Sequence, residues 1–253
     1  MDLHLKDNVA VVTGGSRGLG RAICLALAAE GAKVAVNYYR HQARAVELVA
    51  RIEAEHAVDA LPVPADVTHE ADVERMFALA EAELGPIDVV VNNAGVWPTA
   101  YVKDMSEEEW NATQRVNLTG PFLCCREAVR RWLAARRKGR IVNVSSQAAF
   151  RGSTTGHAHY AAAKAGLVAL TVSLAREVAA EGIHVNAVAP GMMTTDMARD
   201  ALAKGQQQYI ERIPLRRIAD PAEIANVVTF LASDRASYMT GATVDVTGGM
   251  LMR

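Results

Sequence analysis

Cysteine is scarce in this 253-residue chain, and Cys24, Cys124 and Cys125 are all it has. Two are adjacent and none forms a CxxC pair, so a disulfide framework is excluded and the three read as small buried hydrophobes. Metal-ligand patterns are missing as well. The seven histidines include no HExxH; only His157 and His159 stand close together, and no cysteine or carboxylate cluster completes a site. No metal is expected. Aromatic residues make up 5%, and 27 basic against 28 acidic residues leave a net charge of −1. That balance removes any whole-protein attraction to nucleic acid or an anionic membrane. No uninterrupted apolar run approaches the roughly 18–20 residues needed to cross a bilayer. The acid-bearing start MDLHLKDNVAVVTGG runs straight into a structured motif and is not a signal peptide. A cytoplasmic protein without nucleic-acid or membrane partners is expected.

What is present is globular: 51% hydrophobic and 22% charged residues. Short β-branched runs at 9–12, 33–37, 61–63, 89–92, 141–144, 183–187 and 243–246 read as strands. Helical stretches separate them, at 21–30, 42–55, 71–84, within 106–137, and at 160–180 and 221–233. Gly85-Pro86 is a stop signal, and the acids after Ser106 suit a helix start. Strands this apolar, each separated from the next by a helix, predict an α/β fold. The expectation is one doubly wound domain over 1–253, with about seven parallel strands and helices on both faces. Ligands of such sheets bind at the carboxyl ends of the strands, and the motifs do follow strands.

After the first strand comes Thr13-Gly14-Gly15-Ser16-Arg17-Gly18-Leu19-Gly20, spaced Gly-x3-Gly-x-Gly. Glycines 14, 18 and 20 allow a tight turn, and the helix that follows offers free N–H groups to a pyrophosphate. Some twenty residues on, where an acid would grip a ribose 2′-hydroxyl, the chain has Asn37-Tyr38-Tyr39-Arg40. Arg17 and Arg40 suit a 2′-phosphate, so NADPH is expected over NADH.

Tyr160 and Lys164 lie one helical turn apart on one face. A cation about 4 Å away at an effective dielectric of about 20 is worth ~4 kcal/mol, or roughly 3 pK units, which predicts a phenol acidified towards neutrality. Ser145-Ser146 ends the fifth strand, where a hydroxyl could polarise a substrate carbonyl, and Asn117 accompanies the set. His157 and His159 read as loop residues that touch substrate at most.

Together these features resemble the short-chain dehydrogenase/reductase family over almost the whole chain. They are TGGSRGLG at 13–20, Asp66-Val67, Asn92-Asn93-Ala94-Gly95, Asn117, Ser146, Tyr160 with Lys164, and Pro190-Gly191 with Thr195. The resemblance implies a Rossmann-like domain that assembles as a homotetramer or dimer, a tetramer being expected here. It would transfer hydride between a nicotinamide and a carbonyl or alcohol. Tyr160 would be the general acid, Lys164 would lower its pKa and hold the nicotinamide ribose, and Ser146 would bind the substrate oxygen. Asn117 would help hold a proton-supplying water chain, and Asp66 and Val67 would meet adenine. Asn93, Ala94 and Gly95 would pack beside the cofactor, and Met193 and Thr195 would hold the carboxamide. The family's Ser–Tyr separation is usually thirteen residues, but Ser146 lies fourteen before Tyr160, implying one extra residue in the 148–156 loop. Ser145 remains the alternative.

Within the family, residues 174–197 and 214–250 look most like β-ketoacyl-acyl-carrier-protein reductases. Arg130, Arg131, Arg136, Arg137 and Lys138 form a basic cluster that would meet an acidic acyl carrier protein. Arg137 matches a docking position, whereas Glu181 stands where a second base is usual. The expectation is therefore reduction of a 3-oxoacyl thioester. A dehydrogenase of another alcohol or ketone (a polyol, sugar or steroid) is the alternative, and a non-enzymatic NADP(H) sensor a further one. Trp97 and Tyr101 either wall the pocket or make subunit contacts.

Overall fold

The seven apolar runs all become strands, and the five inner ones bury both of their faces while the two edge strands are only partly covered. In the structure, a computed structural model that describes residues 2–153 and 155–252, they are β1 (Val9–Val12), β2 (Lys33–Tyr38), β3 (Ala60–Pro64), β4 (Ile87–Asn92), β5 (Gly139–Val144), β6 (Ile183–Pro190) and β7 (Thr243–Val246). Met1, Thr154 and Arg253 lie outside the described residues, and Thr154 belongs to the loop expected to carry the extra residue. All strand pairs are parallel, in the order β3-β2-β1-β4-β5-β6-β7.

Alternate residues of one strand point to opposite sides. Ala10, Val12, Val34 and Val36 join a core with the helices α1 (Gly18–Ala29), α2 (Gln42–His56) and α9 (Pro221–Leu231). Val9, Val11, Ala35 and Val90 face the opposite layer, built on α3 (Glu70–Leu84), α5 (Gly120–Ala135) and α7 (Ala158–Val178). This double covering is why the strands read as continuous apolar runs rather than alternating ones.

The helical material at 106–137 is three pieces. Ser106 and Glu109 form a capping box at the start of α4 (Glu107–Gln114), a π-type turn spans Arg115–Thr119, and α5 follows. Asp220 and Glu223 cap α9 in the same way. Two helices go beyond the sequence expectation: the single turn α6 (Ala148–Arg151) and α8 (Arg199–Arg212), which is interrupted at Gly205. Helix α7 begins two residues earlier than expected. His157 is therefore its N-cap and His159 lies inside it, both buried, so neither is a loop residue. Among the described residues Ala158–Glu181 is the one stretch with the length and mean hydropathy (1.2) of a membrane span. It is a core helix, with Lys164 buried on it and Leu167 and Thr171 fully enclosed.

Candidate active site

A cleft of about 1260 Å³ opens over the carboxyl ends of the strands, around the point where chain order reverses between β1 and β4. Every residue singled out from sequence for catalysis or cofactor contact lines it.

The glycine turn is clamped from two sides. The Gly14 N–H donates to Asn37 Oδ1 at 3.0 Å, while Asn93 Nδ2 donates to the carbonyls of Thr13 (2.9 Å) and Gly14 (3.1 Å). Thr13 Oγ1 in turn accepts from the N–H groups of Asn93 and Ala94, both at 3.0 Å. A Cβ on Gly20 would stand 2.2 Å from the Gly14 carbonyl oxygen, so no other residue fits there. Helix α1 starts inside this turn, with Arg17 extended at its N-cap, no side-chain cap and no acid in its first turn. Its opening N–H groups are thus left for a ligand, and the cradle fits a dinucleotide pyrophosphate.

At the end of β2, Tyr38 is buried, Tyr39 is exposed and the Arg40 guanidinium lies 5.2 Å from the Tyr39 ring centre. An acid does approach this region, from the far end of the chain. Asp196 takes Arg44 at 3.0 Å, Arg17 at 3.7 Å and Arg199. One carboxylate among three guanidiniums leaves this rim positive. Arg44 and Asp196, 152 residues apart, leave no signal in the sequence because only the fold joins them. Asp66 fixes the turn after β3 by accepting from the N–H (2.9 Å) and hydroxyl (2.8 Å) of Thr68.

At the catalytic end the two serines divide. Ser145 is buried and donates to the Lys164 carbonyl at 3.0 Å, whereas the Ser146 hydroxyl is hydrogen-bonded to the Tyr160 phenol. Lys164 donates from Nζ to the Val144 carbonyl at 2.8 Å and lies 5.7 Å from the centre of the Tyr160 ring. Burial brings the Lys164 ammonium down to about 8. Burial also raises Tyr160, with the Ser146 hydrogen bond opposing it. The expected acidification of the phenol by Lys164 is therefore not what the geometry gives: the ammonium sits over the ring, and desolvation dominates the hydroxyl.

Asn117 lies in the π-type turn and pins the Val96 backbone. Its Nδ2 donates to the carbonyls of Val96 and Thr113, both at 3.0 Å, and its Oδ1 accepts from the Val96 N–H at 3.3 Å. His157 donates from Nδ1 to the Pro98 carbonyl at 2.7 Å and stacks on Trp97, ring centres 4.3 Å apart. Trp97 thereby becomes a wall of the cleft; Tyr101, exposed, does not line it, and nor do His157 and His159. Further lining comes from residues the sequence left unassigned: Gln147, Arg151, Met192, Met197, Tyr209, Arg212 and Met250.

The basic cluster at the end of α5 is mostly paired. Arg131 meets Glu81 (2.5 Å) and Glu127 (2.6 Å), Arg137 meets Asp88 (2.6 Å), and Arg130 lies 3.8 Å from Glu70. Arg136 and Lys138 have no carboxylate within ion-pair distance among the described residues.

Known proteins share both the sequence and this architecture. A family model described as enoyl-(acyl carrier protein) reductase matches residues 14–251. The 3-oxoacyl-[acyl-carrier-protein] reductase FabG of Staphylococcus aureus is 44% identical over 244 residues, covering 96% of this chain and 98% of that protein. The 3-oxoacyl-[acyl-carrier-protein] reductase of Synechocystis is 43% identical, covering 98% of each chain, and the FabG of Aquifex aeolicus is 40% identical, covering 99% of this chain and 100% of its own. A short-chain type dehydrogenase/reductase crystal structure from Mycobacterium marinum superposes with a TM-score of 0.95 at 34% identity, covering 100% of this chain and 98% of that one. With strand order, glycine turn and the Ser146–Tyr160–Lys164 group already in place, the match over nearly the full length makes the chain a member of the short-chain dehydrogenase/reductase family.

Proposed function

We propose that the protein is an NADPH-dependent reductase of 3-oxoacyl thioesters, forming 3-hydroxyacyl products. The observation that carries the reading is the pairing of the Ser146 and Tyr160 hydroxyls, with Lys164 beside them, in the same cleft as the uncapped start of α1. The bound nicotinamide supplies the hydride. The chain does the rest. Ser146 and Tyr160 both donate to the substrate's keto oxygen and fix its carbon at the cofactor. As that oxygen gains negative charge, Tyr160 passes it the phenolic proton, and Lys164 holds the nicotinamide ribose beside the pair. A phenol held above its ordinary value remains protonated at neutral pH, which a proton donor requires. The Val96–Trp97 wall, fixed by Asn117 and His157, restricts solvent around the reacting oxygen.

Asp66 and Val67 would border adenine, and Pro190, Gly191, Met193 and Thr195 the nicotinamide carboxamide. Arg17 and Arg40 favour the 2′-phosphate, because no acid stands at the end of β2 to bind ribose hydroxyls in its place. Names of the full-length relatives favour a carrier-protein-bound substrate. Exposed Trp110, Phe122 and Leu133 on α4 and α5 suit a homotetramer contact. A cytoplasmic location belongs to the same proposal.

A cofactor-oxidation panel tests the reading, pairing NADPH or NADH with acetoacetyl and crotonyl thioesters, simple ketones and sugars. The expected result is the highest kcat/KM with NADPH and the acetoacetyl thioester. Preference for the crotonyl thioester would assign an enoyl reductase instead, and preference for a sugar or simple ketone a different dehydrogenase.

A further inference from the structure

The two carboxylates that line the cleft, Asp66 and Asp196, are both engaged away from its catalytic end, one by Thr68 and one by arginines of the glycine turn and α2. The cleft is also lined by Arg151 and Arg212, which have no carboxylate partner among the described residues. Arg151 closes α6, five residues after Ser146, and its Nη1 donates to the Met250 carbonyl at 2.8 Å. That single bond fixes the guanidinium on the cleft wall and leaves its remaining N–H groups unassigned. Arg212 ends α8. The residues that follow it pack on the same C-terminal segment: the Leu215 N–H donates to the Gly248 carbonyl at 3.1 Å, and a Cβ on Gly248 would lie 2.8 Å from Ile213 Cγ2. Arg151 is thus bonded directly to the 248–250 stretch, and Arg212 precedes the residues Ile213 and Leu215 that pack on it.

Building on the reductase reading, we propose that Arg151 and Arg212 form a clamp for the phosphate that ends the pantetheine arm of the thioester substrate. Met192, Met197 and Met250 line the cleft with these arginines and give it the deformable apolar wall that suits a flexible acyl arm. Guanidinium groups suit a phosphate at the end of such an arm because they can offer it parallel N–H donors. The same phosphate arrives on a carrier-protein serine or on coenzyme A.

The test compares acetoacetyl-pantetheine with acetoacetyl-4′-phosphopantetheine, which differ only in that phosphate. The native enzyme should show at least about ten-fold higher kcat/KM for the phosphorylated thioester, expressed in KM, a factor typical of one charge-assisted contact. In Arg151→Gln/Arg212→Gln the ratio should fall to about one, while NADPH binding and circular dichroism show the fold intact. Arg151→Lys/Arg212→Lys should recover part of it. Equal rates in the native enzyme, or a preference that survives the double substitution, would overturn the clamp and leave the reductase reading standing. If neither thioester is reduced, both fall. Acetoacetyl-coenzyme A and the carrier-protein thioester should lose the advantage together; a loss confined to coenzyme A would assign the arginines to the nucleotide phosphates and overturn the proposal.

Discussion

Burial moves Tyr160 and Lys164 in opposite directions, and both movements leave the pair as a proton donor needs it at neutral pH: phenol protonated, ammonium charged. The pH dependence follows. Lys164 comes down to about 8, so its charge is present below that pH and disappears as pH rises through it. Tyr160 is shifted upward and stays protonated over the same range. Reduction should therefore hold through neutrality and fall above about pH 8. In Lys164→Arg the guanidinium keeps its charge throughout the accessible pH range, so the alkaline limb should move upward in any activity that remains; an unmoved limb would separate Lys164 from it. At the other end of the cleft, Arg17→Ala and Arg40→Ala should each raise the NADPH KM about ten-fold with little change for NADH, the scale of one charge-assisted hydrogen bond. Equal losses for both cofactors would show that the arginines serve the shared phosphates.

At the scale of elements, α5 is tied to the sheet through Trp132, whose Nε1 donates to the Ile87 carbonyl at 2.7 Å and whose ring fills the space beside Gly139. Trp132→Phe would leave that buried carbonyl unsatisfied, a loss of about 1–3 kcal/mol. For a chain of this length each kcal/mol lowers the unfolding midpoint by roughly 2–4 °C. Thermal unfolding checks it, and an unchanged midpoint would mean that water or another donor serves Ile87. The strands and most helices were legible in the sequence because apolar runs and capping residues are local signals. Helix α8 was not: AKGQQQYIER is polar, is broken at Gly205 and buries none of its residues, so it carries no apolar face to read. The single turn α6 is too short to leave a pattern at all.

Across the whole molecule, what sequence could not show is polar contact over long separations. The glycine turn was readable from spacing, yet its rigidity comes from Asn37 and Asn93. The basic run at 130–138 looked free, because Glu70, Glu81 and Asp88 reach it only once α3 and β4 stand next to α5. Likewise the different partners of the two serines at the end of β5, the Lys164 carbonyl for Ser145 and the Tyr160 phenol for Ser146, have no sequence signal. Assembly is also a property at this scale. Sedimentation at micromolar concentration should give four times the 27.1 kDa chain mass, and substituting Trp110 and Phe122 together by Ser should lower it; a native chain that sediments alone would contradict the tetramer. The central claim, that the Tyr160 hydroxyl delivers the proton, meets its most direct test in NADPH oxidation with an acetoacetyl thioester by native protein and Tyr160→Phe, with NADPH binding followed by fluorescence. The account predicts that the variant binds NADPH as the native protein does and loses at least about 10²-fold in kcat. Turnover at the native rate would contradict it.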